Sequence, residues 1–161
     1  AGIVQPLSDN TKMTLGGSFF YFNDDYGPST FPVDYQVAEA FTDLSIKELL
    51  PFPIKFFGSY ANNTEESSDN EGFLGGIKFA DAKKGKWQIT VDYRDVDEFT
   101  TPNFVVDSDF AGGGTNVKGA RMKAKYNIFK NLQAGVSYIV GEQKSTSTDV
   151  DTLHLDLIAK F

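Results

Sequence analysis

Residues 153–161 read LHLDLIAKF, and the spacing inside this stretch decides the fold. Leu153, Leu155, Leu157, Ala159 and Phe161 fall on one face of an extended segment, and His154, Asp156, Ile158 and Lys160 fall on the other. A period of two belongs to a β-strand. Chain ends fray unless something ties them down, so a strand that finishes on a bare aromatic needs a specific partner. A last strand that closes a sheet inside a membrane has one, because open sheet edges are not tolerated in hydrocarbon.

Composition narrows the alternatives. The 161 residues suit a single domain, and a hydrophobic content of 40% is not that of a disordered chain. No apolar run approaches the ~20 residues of a membrane helix. Membrane strands alternate apolar and polar residues, so that absence leaves them open. With no cysteine and one histidine, disulfide frameworks and histidine–thiolate zinc sites are excluded. A net charge of −7 argues against a nucleic-acid partner, whose footprint is basic. The chain opens on Ala1 with no signal-like segment, so a mature form or a piece of a longer chain is expected.

Period-two alternation predicts eight strands near 11–23, 37–49, 53–62, 72–80, 86–96, 117–128, 131–142 and 152–161. Each has about the 9–11 residues a tilted strand needs to cross a bilayer, or slightly more. The connections alternate in length. LLPFP (49–53), ADAKKGK (80–86) and IFKN (128–131) are short. Residues 24–35, 62–71, 95–116 and 141–151 are longer and polar. In an up-and-down sheet this puts all short turns at one end, with both termini, and all long loops at the other. Outer-membrane barrels have that asymmetry.

The two faces differ as sharply. The apolar face is predicted to carry Met13, Leu15, Leu44, Phe56, Ile77, Val91, Met122, Val136 and Leu155, with no charge at any strand centre. Its aromatics gather near strand ends: Phe79, Trp87, Tyr126 and Phe161 at the short-turn end, and Tyr21, Tyr60, Phe73 and Tyr93 towards the loops. Such rims match interfacial girdles. The opposite face sets nine basic residues (Lys12, Lys47, Lys55, Lys78, Arg94, Arg121, Lys123, Lys125, Lys160) against four acidic ones (Glu39, Asp43, Asp92, Asp156). Burying so many charges in a dry core would cost several kcal/mol each unless they were paired. A soluble barrel or sandwich with the apolar face inside shares the alternation but leaves the loops and aromatic rims unexplained.

The expected fold is therefore all-β: an antiparallel up-and-down transmembrane barrel of eight strands, closed alone or forming the C-terminal half of a larger barrel. Segments 48–63 (ELLPFPIKFFGSYANN), 85–100 (GKWQITVDYRDVDEFT), 107–119 (DSDFAGGGTNVKG), 126–142 (YNIFKNLQAGVSYIVGE) and the terminal LHLDLIAKF resemble the C-terminal part of Gram-negative porins, in a family known as putative porins. The resemblance covers nearly the whole chain, though members are usually longer, with about twice as many strands. It implies a bacterial outer-membrane location and passive diffusion of small hydrophilic solutes or ions. It also implies contact with lipid and lipopolysaccharide, delivery to the barrel-assembly machinery through the C-terminal strand, and a homo-oligomer. A closed eight-stranded anchor or surface interaction protein without a pore is the alternative.

The candidate pore-lining residues are Arg94, Arg121, Lys123, Lys125, Asp92, Lys78, Asp43 and Glu39; the interface aromatics are Trp87, Tyr126, Phe161 and Tyr93. Asp92 is expected near Lys123 and Arg94 near Arg121, with Arg121, Lys123 and Lys125 forming a basic stripe that attracts anions. DSDFAGGGTN is not an EF-hand, since Ala111 holds the third ligand position and Lys118 the place of the bidentate Glu. Gly112, Gly113 and Gly114 instead permit a sharp loop return into the barrel mouth. His154 and Asp156 share a face, but no serine is set beside them. No catalytic, cofactor or metal site is expected.

Overall fold

The computed structural model describes residues 1–22, 34–82 and 87–160. Among these residues nine strands form one sheet in chain order: β1 (Gly2–Pro6), β2 (Thr11–Phe22), β3 (Tyr35–Ile46), β4 (Ile54–Asn63), β5 (Glu71–Phe79), β6 (Trp87–Val96), β7 (Val117–Phe129), β8 (Leu132–Gln143) and β9 (Thr148–Ala159). Every neighbouring pair is antiparallel. The only helical element described is one 3-10 turn, Asn103–Val105. Recurrent Phe, Tyr, Val, Ile and Thr favour extended backbone throughout.

The eight strands expected from the sequence are all present, and the count among the described residues is corrected to nine. The extra strand, β1, is GIVQP, too short for alternation to register. It lies against the first half of β2, with Gly2 opposite Gly16 and Pro6 opposite Lys12. The N-terminus therefore sits partway up the sheet rather than at the short-turn end, and the Ala1 ammonium donates to the Gly17 carbonyl at 2.6 Å. A second correction concerns the loops. β8 runs to Gln143 and β9 starts at Thr148, so 141–151 is a tight hairpin over 144–147, with Ser147 at φ 50°. Among the described connections the length asymmetry rests on 97–116; most of the expected long connection 24–35 lies outside the described residues.

The sheet of described residues does not close on itself. Among the described residues β1 pairs only with β2 and β9 only with β8, so the sheet has two edges. Both edge strands run towards the short-turn end, as the first and last of nine up-and-down strands must. A direct β1–β9 ladder would be parallel in an otherwise antiparallel sheet.

Candidate pore wall

The register lines the two faces up across the whole sheet. Met13 pairs with Leu44, Leu44 with Phe56, Phe56 with Ile77 and Ile77 with Val91. The row continues from Val91 to Met122, Tyr138 and Leu153. These side chains point away from the protein: Leu153 is 62% exposed and Met122 52%. Trp87 and Tyr126 are register partners on this outer face at the short-turn end, where Trp87 meets Phe52 edge-on at 5.0 Å. Towards the loops Tyr60 pairs with Phe73, and the Phe73 and Tyr93 rings lie 5.8 Å apart. Phe161 lies outside the described residues.

Charge returns to the outer face one row beyond Tyr93, where Asp95 pairs with Lys118, Lys118 with Glu142 and Glu142 with Asp149. Between that row and Trp87 the outer positions carry a single charge, Asp151, which accepts from the Tyr138 hydroxyl at 3.1 Å. Above the row, Lys144 bridges Asp95 at 2.7 Å and also pairs with Asp97. Burial lowers the Lys144 pKa, but hydrogen bonds to both carboxylates, with their charges, outweigh it and leave the net shift upward.

The other face is covered by residues 97–116, the connection from β6 to β7. Phe104 of this loop meets Phe22 of β2 edge-on at 5.9 Å, and Asp109 lies 3.7 Å from His154 of β9. One loop that reaches both strands marks this face as the inner, concave one. At its base Thr100 donates to the Glu71 carbonyl at 2.6 Å and Asn63 to the Phe99 carbonyl at 2.9 Å. At its tip Phe110 is 1% exposed and packs with Ala111, Val117 and Ile139. Gly113, at φ +88°, makes the return; a Cβ there would stand 2.7 Å from the Ser108 carbonyl oxygen. Gly141 on β8 lets the tip dock, since a Cβ there would fall 2.6 Å from that of Ala111.

The loop is tied to the wall by charge. Asp92, 2% exposed, accepts from Arg121 Nε at 3.1 Å and lies 3.5 Å from Arg94. Asp107 of the loop accepts from Arg121 at 2.7 Å and stands 3.5 Å from Arg94. The Arg94 guanidinium lies over the Phe110 ring, 4.2 Å from its centroid. Asp107 and Phe110 were not foreseen as site residues. The stretch DSDF showed only that a charge and a ring stood near three glycines, not that the loop turned inward.

The expected pore-lining residues all fall on inner-face positions, but the arginines and most of the lysines lie at different levels. Asp92 faces Arg121 rather than the expected Lys123, a correction of one inner position, while Arg94, opposite Gly119, lies near Arg121 as expected, the two sharing Asp92 and Asp107. Of the basic stripe, Arg121 is thus ion-paired; Lys123 has no partner among the described residues, and Lys125 is engaged. Nearer the short turns a second level runs through the register: Lys12, Ser45, Lys55, Lys78, Thr90, Lys123, Ser137 and His154. Asp43 pairs with Lys55 at 2.9 Å, and Glu39 accepts from the Ser18 hydroxyl at 2.5 Å. Among the described residues no group of three or more acidic or histidine side chains is placed to hold a metal ion. Asp107 and Asp109 engage basic side chains of the wall instead.

No curated protein and no solved structure matches the chain. A protein family described as "putative porin" matches residues 33–161, from just before β3 through β9. With that match over most of its length, and an all-β sheet apolar outside and charged inside, the chain belongs to the putative porin family.

Proposed function

We propose that the nine strands form part of the wall of an outer-membrane β-barrel through which small hydrophilic solutes or ions diffuse passively. The observation that carries this reading is the continuous outer row from Met13 to Leu153 backed by a charged inner face. An exposed apolar surface spanning the whole sheet is far larger than a water-soluble monomer tolerates, and a bilayer satisfies it. Trp87 and Tyr93 are separated by about 20 Å along β6 at about 3.3 Å per residue, comparable with the apolar band of such barrels. The loop over 97–116 narrows the passage. The edges of β1 and β9 take further strands, and because both edges run the same way, an odd number of added strands keeps the ring antiparallel. Acidic residues of the loops face lipopolysaccharide, and the terminal strand addresses the assembly machinery. Membership of a porin family favours passage over catalysis.

Planar-bilayer conductance in a salt gradient tests this reading. The expected outcome is ohmic current with a mild anion preference that moves towards cations in Lys123→Glu. A properly inserted protein that passes no current would support a closed anchor instead.

A further inference from the structure

Four lysines converge on one cavity at the short-turn end of the inner wall. It holds about 270 Å³ and is lined by Lys12, Lys47, Lys55 and Lys78, with the Ser45 hydroxyl and one carboxylate, Asp81. Lys55 and Lys78 are direct register partners on adjacent strands. Like charges placed directly opposite on a sheet are unfavourable, so this arrangement weakens the sheet unless something negative sits between them. Asp43 compensates only Lys55, at 2.9 Å. Lys12, Lys47 and Lys78 have no ion-pair partner among the described residues. The arginine level contrasts with it, because there Asp92 and Asp107 stand between Arg94 and Arg121.

We infer that this cavity is a binding site for a multiply charged oxyanion of the phosphate type, free or carried on a small solute. Each ammonium brings a point charge and three donors on a flexible stem, and Ser45 adds a hydroxyl. Such a set surrounds a tetrahedral anion from several sides, whereas a flat carboxylate engages only part of it. The site lies on the inner wall, past the loop over 97–116, where a low-dielectric surround focuses the field of the lysines. It rests on the assignment of this face as the lumen. An anion that has cleared the paired arginine level meets uncompensated positive charge next, so the lysine level, rather than Arg121, is where the wall selects.

The test is a titration of the full chain, folded in phosphatidylcholine bicelles at low chloride, with inorganic phosphate, followed calorimetrically and by phosphorus NMR. Saturable binding is expected, weakened roughly tenfold or more in the Lys12→Gln/Lys78→Gln double variant. Lys78→Arg should retain it, which separates lost charge from lost folding. Lys118→Gln, which breaks an outer-face pair with Glu142, should leave it unchanged. Absence of saturable binding in the folded chain, or equal weakening in Lys118→Gln, overturns the site. Bicelles doped with phosphatidylglycerol address a lipid headgroup as the source: competition there makes the occupant lipid and overturns the solute site. Conductance is a separate readout, so a conducting protein that binds no phosphate loses this site and keeps its pore. A protein that binds phosphate without conducting does the reverse.

Discussion

Asp92 is tightly held in the wall: almost fully buried, it lies between two guanidinium groups that a loop carboxylate, Asp107, also reaches. Removing one partner from a buried ionic cluster leaves charge without compensation, which typically costs about 3–5 kcal/mol. Asp92→Asn keeps the shape and removes the charge, so its effect isolates that loss. The expected outcome is a fall of that order in unfolding free energy, read from urea denaturation in lipid vesicles, with the β-sheet circular dichroism of the folded state unchanged. A change within about 0.5 kcal/mol, the range of ordinary surface substitutions, would mean that Arg94 and Arg121 are compensated by water rather than by this carboxylate. The parity of Asp92 was legible in the sequence, because alternation fixes which face a residue takes. Its partner was not, since pairing depends on register and a shift of one inner position exchanges Lys123 for Arg121.

Among the elements, the loop over 97–116 is the one whose placement makes the wall a candidate passage. Its hold on the wall combines the Asp107 ion pairs with the burial of Phe110 against Ala111, Val117 and Ile139. Phe110→Ala removes the ring and its contact with Arg94, and truncations of buried Phe cost about 3–5 kcal/mol where the whole fold depends on them. Here the loss should fall on the loop: protease cleavage within 103–114 accelerates while the strands stay intact and the β-sheet circular dichroism is unchanged. Global unfolding by this substitution would show that the loop holds the sheet together instead of resting on it. The strands themselves were legible, because a period of two persists over nine or more residues in every one of β2 to β9. β1 was not, at five residues. The hairpin at 144–147 reads as a longer loop because the polar residues that flank it, Thr148 and Asp149 among them, continue the ladder beyond the apolar band. The inward fold of the long loop follows from tertiary contacts that glycines permit but do not specify.

At the scale of the whole molecule, everything turns on which solvent the outer face meets. The rows from Met13 to Leu153 and from Ile89 through Ala124 and Val136 to Leu155 put branched and aromatic side chains on the side away from the loop. In water that surface would drive association; in hydrocarbon it costs nothing, and a charge placed on it becomes the expensive event. Val136 and Leu155 are register partners on β8 and β9, one outer row from Trp87 and Tyr126 and two from Tyr93, within the band between the two rims. Arginine near the bilayer midplane costs about 2–4 kcal/mol, falling to about 0–1 near the interfaces. Val136→Arg and Leu155→Arg should therefore each destabilise the lipid-folded protein by roughly 2–4 kcal/mol. Thr152→Arg, on the inner face of the same strand, should cost much less, since the charge there meets water. The measurement is reversible urea unfolding in vesicles, with the unsubstituted chain checked in plain buffer. A monodisperse β-protein in buffer without detergent, with the outer arginines tolerated as well as the inner one, would make the apolar face a water-excluding core and remove the membrane from the account.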